Sequence, residues 1–252
     1  MTEQNKFIKV ETIPLYNDSI GAVSLYDTSH ANESEEQRIW TVTTIASLAY
    51  GNSEAKNPEA LYERMKSIKH ESLWEFIRIG DWYENTIEDS MRIKNSGVPF
   101  PYTPQCVDNH KQNIACFRIK VPMFVRAQFM RHRSGSYLEM SRRYTKDSKV
   151  PFEFWWNDSM KRLPNIKKQW IDDYIGKYEN LIKCGVETQV ASRFLPQTTY
   201  TEFYCMMETE GLKNFMKLRL DSHSQAEIRE VAEAMLELLR IHQPELYNKV
   251  LP

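Results

Sequence analysis

Glycine is scarce in this chain of 252 residues. There are 8, and the two nearest in sequence, Gly176 and Gly185, stand too far apart for a G-x-G-x-x-G turn or a Walker loop. Both glycine-rich phosphate cradles are thereby excluded. Cysteine is equally sparse: Cys106, Cys116, Cys184 and Cys205 form no C-x-x-C pair and no cluster with histidine. A structural zinc site and a disulfide framework are both disfavoured, and no metal is expected. No run of about 18 apolar residues occurs, so no membrane span is expected. The opening MTEQNKFIKVETIPLY lacks the basic segment and apolar run of a secretory signal, and a reduced, cytoplasmic location is the expectation. An excess of one charge is missing too. Lys plus Arg number 33 against 34 Asp plus Glu, which argues against general nucleic-acid binding.

What remains suffices for a core. With 41% hydrophobic and 27% charged residues the chain can fold, and its length suits a single domain over 1–252. Residues 6–14 read as a strand. Residues 36–50 read as a helix, with Ile39, Val42, Ala46 and Ala49 at helical spacing and Gly51 as its stop. A second helix is predicted from Pro58 to His70 and a strand over 74–83. Gly97, Pro99, Pro101 and Pro104 mark an irregular insertion over about 84–112. Phe117, Ile119 and Val121 alternate with Arg118 and Lys120, which predicts a half-buried strand over 114–121. Pro122 then opens a helix through His132. An amphipathic helix is predicted over 165–183 on Ile171, Tyr174, Ile175, Tyr178 and Leu181, and a short helix over 187–194. A strand is predicted over 198–207, then helices over 211–219 and 225–241. Strands and helices do not alternate regularly, so the class is α+β. The aromatics Phe152, Phe154, Trp155 and Trp156 read as core or interface more readily than as a cofactor stack.

The centre of the chain breaks the charge balance. Between Arg126 and Arg143 lie five arginines, one histidine and a single acid, Glu139. In the predicted helix Gln128, Arg131 and His132 share a face at i, i+3 and i+4. Arginine suits bidentate recognition of phosphate or carboxylate. Three readings stand on composition alone: a solvated basic face paired with acids elsewhere, a polyanion site, or an RNA groove.

The order of residues says more. Arg131-His132-Arg133, followed by Ser134-Gly135-Ser136-Tyr137-Leu138-Glu139-Met140 and Ser141-Arg142-Arg143-Tyr144, closely resembles the signature of the flavin-dependent thymidylate synthases, the ThyX family. Three further blocks resemble that family in the right order: His70-Glu71-Ser72; Arg193-Phe194-Leu195-Pro196 with Tyr200-Thr201; and Asn214-Phe215-Met216-Lys217-Leu218-Arg219 with Asp221 through Ile228. The resemblance covers most of residues 66–235 and implies a small, mostly antiparallel sheet flanked by helices, with active sites at the subunit interfaces of a homotetramer. It implies transfer of the one-carbon unit of methylenetetrahydrofolate to carbon 5 of dUMP, giving dTMP, with FAD reduced by NADPH as hydride source. Carried over residue by residue, Arg131, His132 and Arg133 look like flavin contacts, as do His70, Ser72 and Asn214. Gln128, Arg131, Arg193 and Arg219 look like dUMP contacts, and Glu139, Ser141 and Arg143 look like contacts donated by a neighbouring subunit, Glu139 also towards the cofactor. Arg219 takes the catalytic role, stabilising charge that develops on the uracil ring; Ser141 reads as a binding hydroxyl, since no His–Asp relay stands beside it.

The chain departs from the family pattern at Leu138, where Asn is usual, and at Arg142, where Gly is usual. Glu208 stands for an Asn near the flavin, and Glu210 for a polar or basic residue. The segment between residues 73 and 112 is also longer than in typical members. These departures leave two alternatives open: a related flavoenzyme acting on UMP or making a hydroxymethyl product, and a catalytically silent nucleotide- or RNA-binding relative.

Overall fold

A computed structural model of the chain describes residues 9–27, 34–52, 55–68, 70–74, 76, 114–143 and 151–251. The strands are β1 (Lys9–Pro14), β2 (Ala22–Tyr26), β3 (Ile114–Pro122), β4 (Ser136–Glu139) and β5 (Tyr200–Glu208). They form one antiparallel sheet in the order β1-β2-β3-β5-β4. At its centre β3 and β5 pair along nine residues, from Ile114 opposite Glu208 to Pro122 opposite Tyr200. The α+β class holds, with antiparallel pairing throughout the described residues. β2 and β4 were not foreseen, because four or five residues are too few to display a period.

The helices are α1 (Glu35–Ala49), α2 (Pro58–Ser67), α3 (Glu71–Trp74), α4 (Met123–Phe129), α5 (Asp158–Lys161), α6 (Pro164–Lys183), α7 (Thr188–Ala191), α8 (Thr209–Arg219), α9 (Ala226–His242) and α10 (Pro244–Val250). A 3-10 turn, Ser192–Phe194, follows α7. Ser34 caps α1 by accepting from the Gln37 N–H, and Asn57 caps α2 by accepting from Ala60, each satisfying a donor that a helix start leaves open. Gly51, at φ 67°, turns the chain away after α1 in the region that favours glycine.

The period of two in β3 decides the layers. Ala115, Phe117, Ile119 and Val121 face one side, where they meet Phe203, Cys205 and Met207 of β5 and the apolar faces of α4, α8 and α9. Ile114 and Cys116 face the other side with Tyr204 and Met206, under α1, α2 and Leu73 of α3. Arg118 shares that second side and donates from Nε to Glu202 Oε1 at 2.7 Å. Phe154 and Trp156 are buried, Phe152 packs edge-on to Tyr178 at 4.8 Å, and Trp155 meets Phe124 at 5.2 Å. The aromatic run is thus core packing.

Several expected boundaries move. The second helix stops at Ser67 rather than His70. The strand expected from Trp74 does not begin there, since Glu71–Trp74 is a single helical turn and Phe76 lies in a turn; residues 77–83 and the insertion at 84–112 lie outside the described residues. The helix opened by Pro122 ends at Phe129 rather than His132, so Gln128, Arg131 and His132 do not share a helical face. On α6 only Tyr178 is buried, and Ile171, Tyr174, Ile175 and Leu181 are half-covered. α10 was not anticipated; it inserts Leu246 and Val250 into the first core.

Candidate active site

The first functional cluster grows from three chain ends that meet on the α8 side of the sheet. α4 stops at Phe129, and the chain turns through Met130–Gly135 into β4. His132 sits in that turn, 5% exposed. Its N–H donates to Phe129 O at 3.1 Å, and its carbonyl accepts from Gly135 N at 3.3 Å and from Tyr137 Oη at 2.7 Å. Its ring stands edge-on to Phe215 of α8 at 4.8 Å. The turn packs so closely that a Cβ on Gly135 would fall 2.6 Å from Tyr137 Oη, and one on Gly211 of α8 would fall 2.9 Å from Ser134 Oγ. At Gly135 glycine is needed for space rather than for a special φ, whereas at Gly211 the exposed Ser134 hydroxyl would have to turn away.

Arg219 closes α8 and reaches into this turn. Its Nε–H donates to His132 Nε2 at 2.9 Å, and Nη2 donates to the Gln128 carbonyl at 3.2 Å. Burial, with the Arg219 charge second, pushes the His132 pKa down to about 4, so the imidazole is neutral at pH 7 and carries its proton on Nδ1. Burial, with the Arg131 charge second, lowers the pKa of Arg219; a guanidinium starts so far above neutrality that it stays charged. Gln128 Nε2 in turn donates to Gln225 Oε1 at 2.5 Å, joining α4 to the residue before α9. Together Gln128, Lys217, Arg219, Asp221, His223 and Gln225 line an open hollow of about 600 Å³. Asp221 accepts from the His223 N–H and from Nδ1, both at 2.8 Å. The one acid of the hollow is thus engaged locally, and its net character is cationic.

The other expected residues divide into separate places. Arg131 and Arg133 are exposed on the turn after α4, and Asn214 is exposed on α8. Glu139, on the same side of the sheet, accepts from Arg126 Nη2 and, at Oε1, from Thr201 Oγ1 at 2.7 Å. Ser141 hangs from α1 through its N–H to Ala49 O at 3.1 Å, and its Oγ accepts from the Arg143 N–H at 3.3 Å. Arg143 is exposed, as is Arg193 in the 3-10 turn beside Phe194, which is 66% exposed. His70 and Ser72, whose Nδ1 and Oγ lie 3.2 Å apart, belong to the α2–α3 corner over the second face of the sheet. One chain therefore gathers Gln128, His132 and Arg219, with Arg131 close enough for its charge to act on Arg219, and leaves His70, Ser72, Ser141, Arg143 and Arg193 in other places.

The departures from the family pattern acquire structural reasons. Leu138 stands opposite Tyr204 and is 7% exposed in the second core. The Arg142 guanidinium lies over the Phe152 ring at 4.6 Å. Glu208 is the N-cap residue of α8 and Glu210 lies in its first turn, where acids complement the helix dipole. Sequence reasoning did not single out Gln225 or Lys217 as site residues, nor Arg126 and Thr201 as anchors of Glu139. Gln225, Lys217 and Thr201 stood inside recognised blocks and Arg126 bounds the arginine-rich stretch, but their contacts became visible only once the chain had folded.

The donor set can be compared with what a flavin dinucleotide requires. Arg131, Arg133, Asn214 and Lys217 are exposed along the turn and the helix packed against it, and they supply three cations and an amide against one exposed acid of that helix, Glu210. That chemistry fits an anionic dinucleotide.

A family model described as thymidylate synthase complementing protein, Thy1, matches residues 111–245. The match takes in three of the four motif blocks and leaves the His70 block outside. The chain is 35% identical over 142 residues to a flavin-dependent thymidylate synthase of Thermotoga neapolitana, covering 52% of this chain and 64% of that protein. It is 33% identical over 154 residues to one from Wolbachia pipientis wMel, covering 52% and 53%, and 32% over 145 residues to one from Thermus thermophilus, covering 51% and 53%. The chain thus spans less than two thirds of the length of these curated relatives. Among solved structures, a UMP/dUMP methylase PolB from Streptomyces cacaoi bound with 5-Br UMP aligns with a TM-score of 0.45 at 23% identity, over 54% of this chain and 71% of that one. With the family model covering more than half of the sequence, the chain belongs to the thymidylate synthase complementing family, that of the ThyX enzymes.

Proposed function

We propose that this chain converts dUMP to dTMP, taking the one-carbon unit from methylenetetrahydrofolate, with FAD as cofactor and NADPH as its reductant. The observation that carries this reading is a charged arginine, Arg219, held on two sides beside a cationic hollow that Gln128 and Gln225 frame. A uracil ring becomes nucleophilic at carbon 5 as negative charge develops across N3 and its carbonyls. A guanidinium fixed beforehand stabilises that charge without reorganising during the step. Gln128 and Gln225, locked to each other, supply amide groups for a neutral polar ring. Lys217 adds positive charge for the nucleotide phosphate.

The flavin, when bound, supplies the hydride that completes the methyl group. Arg131, Arg133 and Asn214 are the residues whose chemistry suits holding it. His70 and Ser72 lie over the other face of the sheet, and Arg143 and Arg193 are exposed. This division supports a site completed by a second copy, within a homotetramer. Of the features that kept the alternatives open, Leu138 fills a core and the acids at 208 and 210 start a helix, while the insertion lies outside the described residues.

The test is a product assay. Purified protein is incubated anaerobically with FAD, NADPH, methylenetetrahydrofolate and equal dUMP and UMP, and the nucleotides are weighed by mass spectrometry. Gain of one methyl group by dUMP alone is the expected result. Modification of UMP, or an added group other than methyl, overturns the reading in favour of a related flavoenzyme. A colourless protein that FAD cannot reconstitute overturns it in favour of a silent binding relative.

A further inference from the structure

We infer that His132 is a positioning residue for Arg219: it acts as a fixed, neutral acceptor that sets which edge of the guanidinium meets the substrate. The inference rests on the reading of Arg219 as the group facing the pyrimidine, and it gives His132 a role other than that of a cation for the flavin.

A guanidinium offers five N–H groups in two forks, one along its Nε–Nη2 side and one across its two terminal nitrogens. In this chain the Nε–H is taken by His132 Nε2 at 2.9 Å and one Nη2–H by the Gln128 carbonyl at 3.2 Å. The side fork is therefore consumed by the protein. Both N–H groups of Nη1 and the second of Nη2 are left, among the described residues, for a bound group. The terminal fork is the one that can address two adjacent acceptors, such as a ring nitrogen that has become anionic and its neighbouring carbonyl.

His132 can do this only if it is immobile and unprotonated, and the fold provides both. Three backbone hydrogen bonds hold the residue, to Phe129, Gly135 and the Tyr137 hydroxyl. The ring edge is closed by Phe215 at 4.8 Å. An imidazolium could not accept from Arg219, and two cations at 2.9 Å would repel. Burial, reinforced by the contact that orients the arginine, thus keeps the histidine neutral, and a neutral ring is a poor partner for a pyrophosphate. That task falls to the exposed Arg131 and Arg133.

Two measurements on the full chain decide the matter. In protein labelled with ¹⁵N-histidine at pH 7, the His132 signal, assigned by its loss in His132→Gln, should show a protonated Nδ1 and a bare Nε2. In Arg219→Ala that preference should relax towards a mixture of tautomers. This readout needs no turnover, so it stands even if the proposed reaction fails. In the product assay with dUMP, His132→Phe keeps the ring shape but removes the acceptor. It should lower kcat/KM by about 10- to 100-fold, the loss expected for one hydrogen bond to a charged group, while FAD affinity stays within about threefold. His132→Gln, whose Oε1 can replace Nε2 as acceptor, should recover most of that loss. A protonated Nε2 in the wild type, a tautomer indifferent to Arg219, or unchanged kcat/KM in His132→Phe overturns the inference. So does a collapse of FAD affinity in His132→Phe, which would make His132 a flavin contact. If His132→Phe fails to fold, the tautomer and His132→Gln still decide: a His132→Gln rate more than about tenfold below wild type overturns the inference. Absence of dUMP turnover in the wild type overturns the proposed function instead.

Discussion

Replacing Arg219 with alanine separates the two tasks that the structure gives this side chain. The first is structural. The substitution removes the donor to His132 Nε2, at 2.9 Å, from a residue only 5% exposed, and the donor to the Gln128 carbonyl at 3.2 Å. The carbonyl lies beside an open hollow and can take water instead, but the imidazole acceptor is left largely without a partner. An unsatisfied buried polar group costs about 1–3 kcal/mol, and we expect a stability loss at the lower end of that range, since the cavity opens to solvent. The second task is electrostatic. Loss of one preorganised donor from a charge-developing site lowers kcat by about 10²- to 10³-fold. Arg219→Lys keeps a positive charge but loses the planar fork, so it should fall between the two. Urea unfolding and the dUMP product assay, run on the same preparations, give both numbers. A kcat for Arg219→Ala within about threefold of wild type, at full folding, would refute the catalytic assignment. Stability unchanged within about 0.3 kcal/mol would refute the hydrogen-bond reasoning.

Other perturbations read different parts of the structure. The His132 pKa is lowered from 6.5 to about 4 in the fold, so between those values the unfolded chain takes up a proton that the native one refuses. Its contribution is intact above pH 6.5 and is lost as pH falls through that window, on the order of 3 kcal/mol in all. Urea midpoints at pH 7 and pH 5 should therefore fall further apart in the wild type than in His132→Gln, and equal slopes would rule the shift out. Leu138→Asn restores the residue usual in the family, yet should cost about 2–3 kcal/mol in urea unfolding by burying an amide in the second core; a neutral result would mean that Leu138 is not packed as described. Gly135→Ala forces a methyl group against Tyr137 Oη, the clamp on the His132 carbonyl. A loss of about 1–3 kcal/mol is expected, with a fall in dUMP turnover that Gly176→Ala, where a Cβ meets nothing within 4 Å, should not show. Binding of dUMP, followed by calorimetry, should weaken as salt rises from 50 to 500 mM, since charge-assisted contacts are screened; affinity independent of salt would remove the cationic hollow from recognition.

The sequence by itself determined a good deal about this protein. The alternation of Phe117, Ile119 and Val121 with Arg118 and Lys120 placed the central strand, because a period of two maps directly onto the faces of a sheet. The spacing of Ile228, Val231, Met235 and Leu238 placed α9 for the corresponding reason at a period of 3.6. Four motif blocks in the right order marked the family, since each is a local string that needs no folded context to be read. The short strands were beyond that reach: Ser136–Glu139 has too few residues to show a period and exists because β5 pairs with it.

Tertiary structure decided what the motif residues do to one another. His132 and Arg219 are 87 residues apart, and nothing in either block states that one accepts from the other. The helix predicted to align Gln128, Arg131 and His132 ends at Phe129, and the turn beyond it, held by Tyr137, brings the histidine to the arginine instead. Leu138 and Glu208 stand out in the sequence as departures from the family pattern, and the fold shows a core side chain and the start of a helix. The physical reason is the same throughout. Local strings encode propensity and pattern, whereas protonation, burial and the direction of a hydrogen bond are set by whichever groups the packed chain brings within about 3 Å.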